Sequence, residues 1–210
     1  MSLLIKKIDE LIEEHSLLKH QFYQMWSDGK LSQESLSGYS KEYYQLVKYV
    51  PSFVANVAKY APQSNIDELR ANQKEESEHI LPWTRFAKAL GVSENELEKY
   101  EGLEKTKKAI SEMSSLMGSF EGGAAAMYAL EKEIPKISQT KLEGLDKFYG
   151  ITDYDATQYF ELHKEADIRH AQTWQNILER NSQNENLLKI AEKSLLAQNL
   201  LLDGCYETYC

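Results

Sequence analysis

Apolar residues recur at helical spacing along most of this chain. In the first segment Leu4, Ile8 and Ile12 lie on one stripe, which ends near His15. The longer stripes that follow run from Ser32 to Val50, Asn65 to Leu90, Lys105 to Met117, Asp153 to Arg180 and Asn184 to Leu202. No segment alternates with the period of a strand. The pattern predicts an all-α fold, a bundle of about seven to nine helices in a single domain covering residues 1–210.

Proline and glycine mark where these helices are expected to stop. Pro51 is predicted to bend or break the helix that precedes it, and Pro82 lies inside a long one. Pro135 is predicted to close the segment that contains Glu131, with Ser138 opening the next helix. Gly204 is predicted to end the last helix.

Composition and charge exclude several classes of partner. The net charge is −9 and no block of basic residues occurs, so a nucleic-acid surface is not expected. No run of about 18 apolar residues would cross a membrane, and the N-terminus lacks the apolar core of a secretion signal. A cytoplasmic location is therefore expected. Both cysteines, Cys205 and Cys210, lie in the last six residues, and a disulfide between them is not expected in a reducing compartment.

The first candidate chemistry lies in the segment 153–180. His163, Asp167 and His170 occupy positions i, i+4 and i+7, which fall on one stripe of a helix. Two imidazoles and a carboxylate on one stripe form half of a transition-metal site. The competing interpretation is a solvated polar face.

A second group of ligand-type residues lies in the segment 65–90. Glu76 and His79 are three residues apart, and Glu75 and His79 are four apart, so either pair can point the same way. A Glu-x-x-His pair is the unit used by di-iron and di-manganese bundle proteins. The nearby Glu78 also suits an acidic, solvated face.

Glu131 ends a stretch of small and apolar residues that begins at Gly122. Because an isolated buried charge is costly, this carboxylate is expected either to pair with a lysine or to bind metal. With the two groups above it gives three carboxylates and three histidines on three helices.

These residues can be divided between two metal ions. The sequence suggests Glu76 and His79 for one ion and the stripe that begins at His163 for the other. It leaves open whether Glu131 or Asp167 bridges the pair. Mixed imidazole and carboxylate ligands favour iron or manganese over a thiolate-type zinc site.

Several segments together resemble a known family. They are His20-Gln-Phe-Tyr-Gln-Met-Trp26, Glu42-Tyr43-Tyr44, His79-Ile-Leu-Pro-Trp-Thr-Arg-Phe86, Tyr128-Ala-Leu-Glu131-Lys-Glu-Ile-Pro135 and His163-x3-Asp167-x2-His170. With these markers the whole chain resembles the dimetal oxidases of haem-oxygenase-like fold, relatives of the pyrroloquinoline-quinone synthases and class II thiaminases. The closest resemblance is to the p-aminobenzoate-forming group that includes the chlamydial protein associating with death domains.

The resemblance implies a haem-oxygenase-like bundle that binds two metal ions, either two irons or one iron and one manganese. The ligands it implies are Glu76, His79, Glu131, His163, Asp167 and His170. Relatives usually carry a longer segment between the first acid and its histidine, so Glu75 is an alternative first ligand.

The resemblance also implies an oxygen-dependent reaction that forms p-aminobenzoate, for folate synthesis, from a side chain of the protein itself. The matching residues are Tyr23, as the source of the ring, and Lys141, as the amino donor. Tyr39 and Tyr43 are further candidates for the ring or for a radical relay. By its position early in a helix, Lys141 would ordinarily be a surface residue. The implied partners are dioxygen and an external reductant, and homodimers are common in this fold.

Two other functions stay open at this point. One is a dimetal oxidase that acts on a small molecule such as a fatty acid or an amino acid. The other is a non-enzymatic helical protein that binds a partner through one face. A thiaminase is less favoured because no cysteine lies in the middle of the chain.

Overall fold

The computed structural model describes residues 1–180 and 185–210. Within these ranges the chain forms helices and no strand, and a single 3-10 turn covers Leu17–Lys19. The α-helices, numbered in chain order, are α1 (Leu3–Glu14), α2 (Gln21–Ser27), α3 (Gln33–Val47), α4 (Val50–Ala58), α5 (Gln63–Ala89), α6 (Glu94–Lys99), α7 (Glu104–Leu116), α8 (Phe120–Glu131), α9 (Ile134–Tyr149), α10 (Tyr154–Glu179) and α11 (Asn186–Tyr209). The predicted helix start at Asn184 lies outside the described residues.

The predicted all-α class is confirmed. The described residues contain eleven α-helices, more than the seven to nine expected, because short segments such as α2 and α6 are separate helices of seven and six residues. Polar side chains begin several helices as the sequence indicates. Ser32 and Ser35 form a reciprocal capping box at α3, and the Asp153 side chain accepts a hydrogen bond from the Asp155 amide at α10.

Three predicted helix boundaries are wrong, and one of them is Ser138, which lies inside α9 rather than at its start. Pro135 does not close the helix of Glu131 but lies in the first turn of α9, where its missing N–H costs nothing. Gly204 does not end α11, which continues to Tyr209. A Cβ atom at Gly204 would lie 3.2 Å from Cβ of Lys105, so this glycine serves close packing against α7 rather than a stop.

Helix α8 is the buried centre of the bundle. Every residue from Phe120 to Glu131 except the half-buried Glu121 is buried, and the helix contacts α4, α10 and α11. The small residues allow this close approach, since a Cβ at Gly123 would lie 2.3 Å from a methyl of Val57 on α4. Helices α5 and α10 pack against each other, and α10 also packs against α8. The polar faces of α5, α8 and α10 therefore meet inside the protein.

The remaining structural expectations concern membranes and cysteines. Among the described residues, no helix combines the length and apolar character needed to cross a bilayer. Cys205 is buried, Cys210 is exposed, and both thiols are free, in agreement with the expectation of no disulfide between them.

Candidate metal centre

All six predicted ligands are buried, each with no more than 7% of its surface exposed. They come from the three helices whose faces meet in the interior: α5 supplies two, α8 one and α10 three. The stripe on α10 faces the Glu-x-x-His pair of α5 because those two helices pack together. The solvated-face interpretation is wrong for both segments.

The ligand atoms form two groups that share one carboxylate. Glu76, His79 and His163 offer nitrogen or oxygen atoms within 4.8 Å of one another, and Glu76, Asp167 and His170 form a second such group. The rings of His79 and His163 have centroids 4.4 Å apart. The structure thus joins His163 to His79 rather than to His170, and Glu76 is the residue common to both groups.

Glu131 faces the same interior from α8. One of its oxygens, Oε2, accepts a hydrogen bond of 2.6 Å from the indole Nε1 of Trp174, and the other has no hydrogen-bond partner. Burial, together with the charge of nearby Asp167, raises the pKa of Glu131 well above its usual range. No lysine forms an ion pair with Glu131 in the described part of the chain, so the salt-bridge explanation for this buried acid is not supported.

Several buried polar atoms of this cluster lack hydrogen-bond partners, which is costly in a protein interior. Oε1 of Glu76 and Nδ1 of His170 lie 2.9 Å apart, yet neither is aligned for a hydrogen bond. Nδ1 of His79 and Oε1 of Glu131 are also buried, and each lacks a hydrogen-bond partner. Metal ions with mixed nitrogen and oxygen ligands would satisfy these atoms and neutralise the carboxylates, so the residues fit a dinuclear site.

One hydrogen bond orients the His163 ring so that its other nitrogen can bind a metal. Its Nδ1 lies 2.7 Å from the backbone oxygen of Tyr159, which leaves Nε2 free. Burial lowers the pKa of His163 and so favours the neutral ring that a metal requires. Tyr159 also stacks on this ring, with centroids 3.9 Å apart. Tyr159 is not among the predicted site residues, although it lies one helical turn before His163 on the same stripe.

Glu75, the alternative first ligand, lies outside both groups. Its side chain is 37% exposed and contacts the far nitrogen of His170, Nε2, at 2.6 Å. Glu76 is therefore the acid that the structure brings into the cluster.

Because Glu76 belongs to both groups, its substitution is expected to affect both metals. Glu76→Gln should lower the iron or manganese bound per chain to less than half the wild-type amount, since a neutral amide replaces the carboxylate shared by both groups. Metal per chain after anaerobic loading and desalting measures this. Glu78→Gln is the control, because Glu78 is 64% exposed and, within the described residues, forms an ion pair with Lys74 alone. Two tightly bound ions in Glu76→Gln would contradict the arrangement.

Lys141 is only 4% exposed, although a lysine at its position early in a helix would ordinarily lie on the surface. Its Nζ donates a hydrogen bond to the hydroxyl of Tyr39 and lies 4.6, 4.5 and 4.9 Å from the ring centroids of Tyr23, Tyr39 and Tyr43. Within the described residues it forms no ion pair. Burial lowers the pKa of Lys141 well below its usual range, which favours the uncharged amine.

Comparison with known proteins assigns the chain to a family. The sequence model of the TENA/THI-4/PQQC family matches residues 5–207. The chain belongs to the TENA/THI-4/PQQC family. This family member is similar to a solved structure from Shewanella denitrificans, a domain of unknown function with a haem-oxygenase-like fold. The two superpose with a TM-score of 0.83 at 18% sequence identity, and the match covers 98% of this chain and 91% of that one. The predicted haem-oxygenase-like fold is confirmed.

The chain is also similar to proteins named 4-aminobenzoate synthase. The protein of that name from Chlamydia trachomatis is 34% identical over 83% of this chain and 79% of its own length. The one from Nitrosomonas europaea is 29% identical over 98% of this chain and 92% of its own length. These matches bear out the resemblance found in the sequence.

A small cavity in this TENA/THI-4/PQQC protein adjoins the buried acids. Its volume is about 30 Å³, and its lining includes Tyr43, Tyr159, Glu131 and Asp167. A volume of this size holds about two water molecules. From here a continuous series of aromatic rings, with successive centroids 3.9–6.1 Å apart, leads away from the ligands in the order His163, Tyr159, Trp83, Tyr43, Tyr39 and Tyr23.

Proposed function

We propose that this protein is an oxygen-dependent dimetal enzyme that forms p-aminobenzoate from its own Tyr23, with Lys141 as the source of the amino nitrogen. Dioxygen and an external reductant are the co-reactants. The relatives named 4-aminobenzoate synthase support the product. The cluster of candidate ligands supports the use of oxygen, because its nitrogen and oxygen donors suit iron and manganese.

The environment of Lys141 is the observation that carries the proposal. An amine in the interior costs stability unless it is paired, and no carboxylate pairs with Lys141 in the described residues. The group instead lies among the rings of Tyr23, Tyr39 and Tyr43, and burial lowers its pKa, which favours the uncharged amine. A neutral amine is a nucleophile, whereas an ammonium is not, so the site keeps Lys141 in the reactive form.

The carbon skeleton of the product corresponds to part of a tyrosine side chain. p-Aminobenzoate contains one ring and one further carbon, which match the ring and Cβ of Tyr23. Release therefore requires cleavage of the Cα–Cβ bond, oxidation of Cβ to a carboxylate, and replacement of the phenol oxygen by nitrogen. The oxidation of Cβ needs dioxygen. The lysine amine supplies the nitrogen: condensation at Cζ of the oxidised ring releases the phenol oxygen as water, and two-electron oxidation of Cε followed by hydrolysis breaks the Nζ–Cε bond and leaves residue 141 as an aldehyde.

Six residues would hold the metal ions: Glu76, His79, Glu131, His163, Asp167 and His170. Iron, or iron with manganese, supplies the oxidising equivalents from dioxygen when bound there. The aromatic series carries electrons from Tyr23 toward His163, because its neighbouring rings are in or near contact. The hydroxyl groups of Tyr23 and Tyr39, 3.0 Å apart, provide a path for the phenol proton toward Lys141.

The size of the cavity favours an internal substrate over an added one. About 30 Å³ accommodates a molecule such as dioxygen, whereas a fatty acid or a free amino acid needs far more space. Tyr23 and Lys141 are already buried, at the end of the aromatic series that leads away from the ligands, so no substrate has to enter. This supports the self-modifying reaction over the alternative oxidase.

The test uses the purified, metal-loaded protein with dioxygen and a reductant and with no organic substrate. We expect p-aminobenzoate in an amount that does not exceed one molecule per chain, and none without oxygen or without metal. Mass spectrometry should find the cleaved position at residue 23 in the protein that has reacted. Product in excess of the protein would contradict the proposal, as would oxygen uptake that depends on an added fatty acid or amino acid.

A further inference from the structure

Glu75 connects the buried cluster to the protein surface. Its Oε2 lies 2.6 Å from Nε2 of His170, although Glu75 is 37% exposed and the His170 side chain only 4%. The carboxylate lies on a surface groove between α5 and α10 that also includes His79 and Arg169. It is thus an outer neighbour of His170 and stands apart from the two ligand groups.

The two nitrogens of His170 have different neighbours. Nδ1 faces Glu76 at 2.9 Å and Asp167 at 3.5 Å, without an aligned hydrogen bond. Nε2 faces Glu75 alone among these acids. An imidazole whose Nε2–H is held by a carboxylate keeps the lone pair of its neutral form on Nδ1, directed at the cluster.

Glu75 is itself held in place by the residue that precedes His170. The guanidinium of Arg169 contacts both oxygens of Glu75, at 3.2 Å each, in the paired geometry typical of arginine and carboxylate. One helical turn further, Thr173 donates a hydrogen bond of 2.8 Å to Glu68. The contacts of Glu75 therefore fix α5 against α10 at the level of His170.

We propose that Glu75 is a positioning residue that fixes the orientation and tautomer of His170, so that Nδ1 is the nitrogen offered to metal, with Arg169 holding Glu75 in place. The inference rests on the metal centre of the proposed function. It goes beyond that function by assigning a role to an acid outside the ligand set and by naming the ligating atom of His170.

The experiment compares three variants with the wild type, using Mn²⁺ alone and Fe²⁺ alone as probes under anaerobic conditions. Glu75→Leu removes the acceptor and should weaken the metal bound at His170 by about 10- to 100-fold, as loss of such partners does at other metal sites. Glu75→Gln keeps an oxygen that can accept a hydrogen bond from Nε2–H, so its metal affinity should fall by less. Glu78→Gln is the matched control on the same helix and groove, and its affinities should equal those of the wild type.

The line shape of bound Mn²⁺ in electron paramagnetic resonance provides a second measurement. It should change in Glu75→Leu and stay unchanged in Glu78→Gln, since only the first substitution releases a ligand ring. Circular dichroism of the metal-free variants checks the fold. Wild-type affinity and line shape in a folded Glu75→Leu would overturn the inference, even if its melting temperature were lower.

The outcomes separate this inference from the proposed function. Metal affinity that depends on Glu75, with no p-aminobenzoate from the wild type, would overturn the proposed function and support the role of Glu75. If the wild type formed product and its metal affinities did not depend on Glu75, the proposed function would be supported and the role of Glu75 overturned. A wild-type protein that binds neither metal ion would overturn both.

Discussion

Replacing Tyr23 by phenylalanine is expected to abolish p-aminobenzoate formation while leaving two metal ions bound. Phenylalanine fits the buried position but has no phenol oxygen to be replaced by nitrogen. Tyr23 touches none of the six candidate ligands through its hydroxyl, which bonds to Tyr39 at 3.0 Å. Loss of that hydrogen bond should cost about 1 kcal/mol of stability, too little to unfold the protein. Product assay and metal analysis of the same sample measure both effects.

Two further variants make this result specific. Tyr60→Phe alters a tyrosine that is 56% exposed and should form the wild-type amount of product. Tyr39→Phe removes the hydroxyl between Tyr23 and Lys141 and should slow the reaction without eliminating the ring source. If Tyr23→Phe made normal product and Tyr39→Phe made none, the ring would come from Tyr39 and our assignment would be wrong.

Replacing Lys141 by methionine is expected to eliminate the product and to stabilise the protein. Methionine has a similar length and fills the same space without a polar group. The variant loses the hydrogen bond to Tyr39 but no longer buries an amine, and the net gain should be on the order of 1–3 kcal/mol in the free energy of unfolding. Chemical denaturation of the metal-free proteins measures it. Lys136→Met, at an exposed position on the same helix, should change stability little.

The difference in stability between Lys141→Met and the wild type should depend on pH. Burial holds the folded-state pKa of Lys141 well below the value of 10.5 for a free lysine. Between those two values the unfolded chain binds a proton that the folded chain does not, so this residue makes the wild type more stable as pH rises toward 10.5. The stability advantage of Lys141→Met should therefore shrink over this range. An advantage that stayed constant or grew with pH would mean that Lys141 is charged in the folded protein.

Much of the fold followed from local patterns. Helical spacing of apolar residues predicted the helices, and the predicted starts at Ser32 and Asp153 are the N-capping residues of α3 and α10. Local rules failed where packing between helices decides the outcome. Gly204 has the chemistry of a helix stop, yet α11 continues through it because a residue without Cβ lets α7 approach.

The candidate site divides in a similar way. The spacing of His163, Asp167 and His170 determined that these side chains share one face of a helix, because that follows from the helical repeat alone. Which side chains meet across helices depends on how α5 and α10 pack. The sequence therefore could not show that Glu76 is common to both groups, nor that Glu75 lies behind His170.

By itself, the sequence determined the all-α class, the residue types of a candidate metal site with nitrogen and oxygen donors, and the resemblance that the family match bears out. These depend on period, composition and motif, which are properties of the chain. Only the tertiary structure decided that Lys141 is buried, unpaired by any acid in the described residues, and surrounded by tyrosine rings. Burial and electrostatic environment arise from residues distant in sequence, so a lysine on a helix gives no local sign of either.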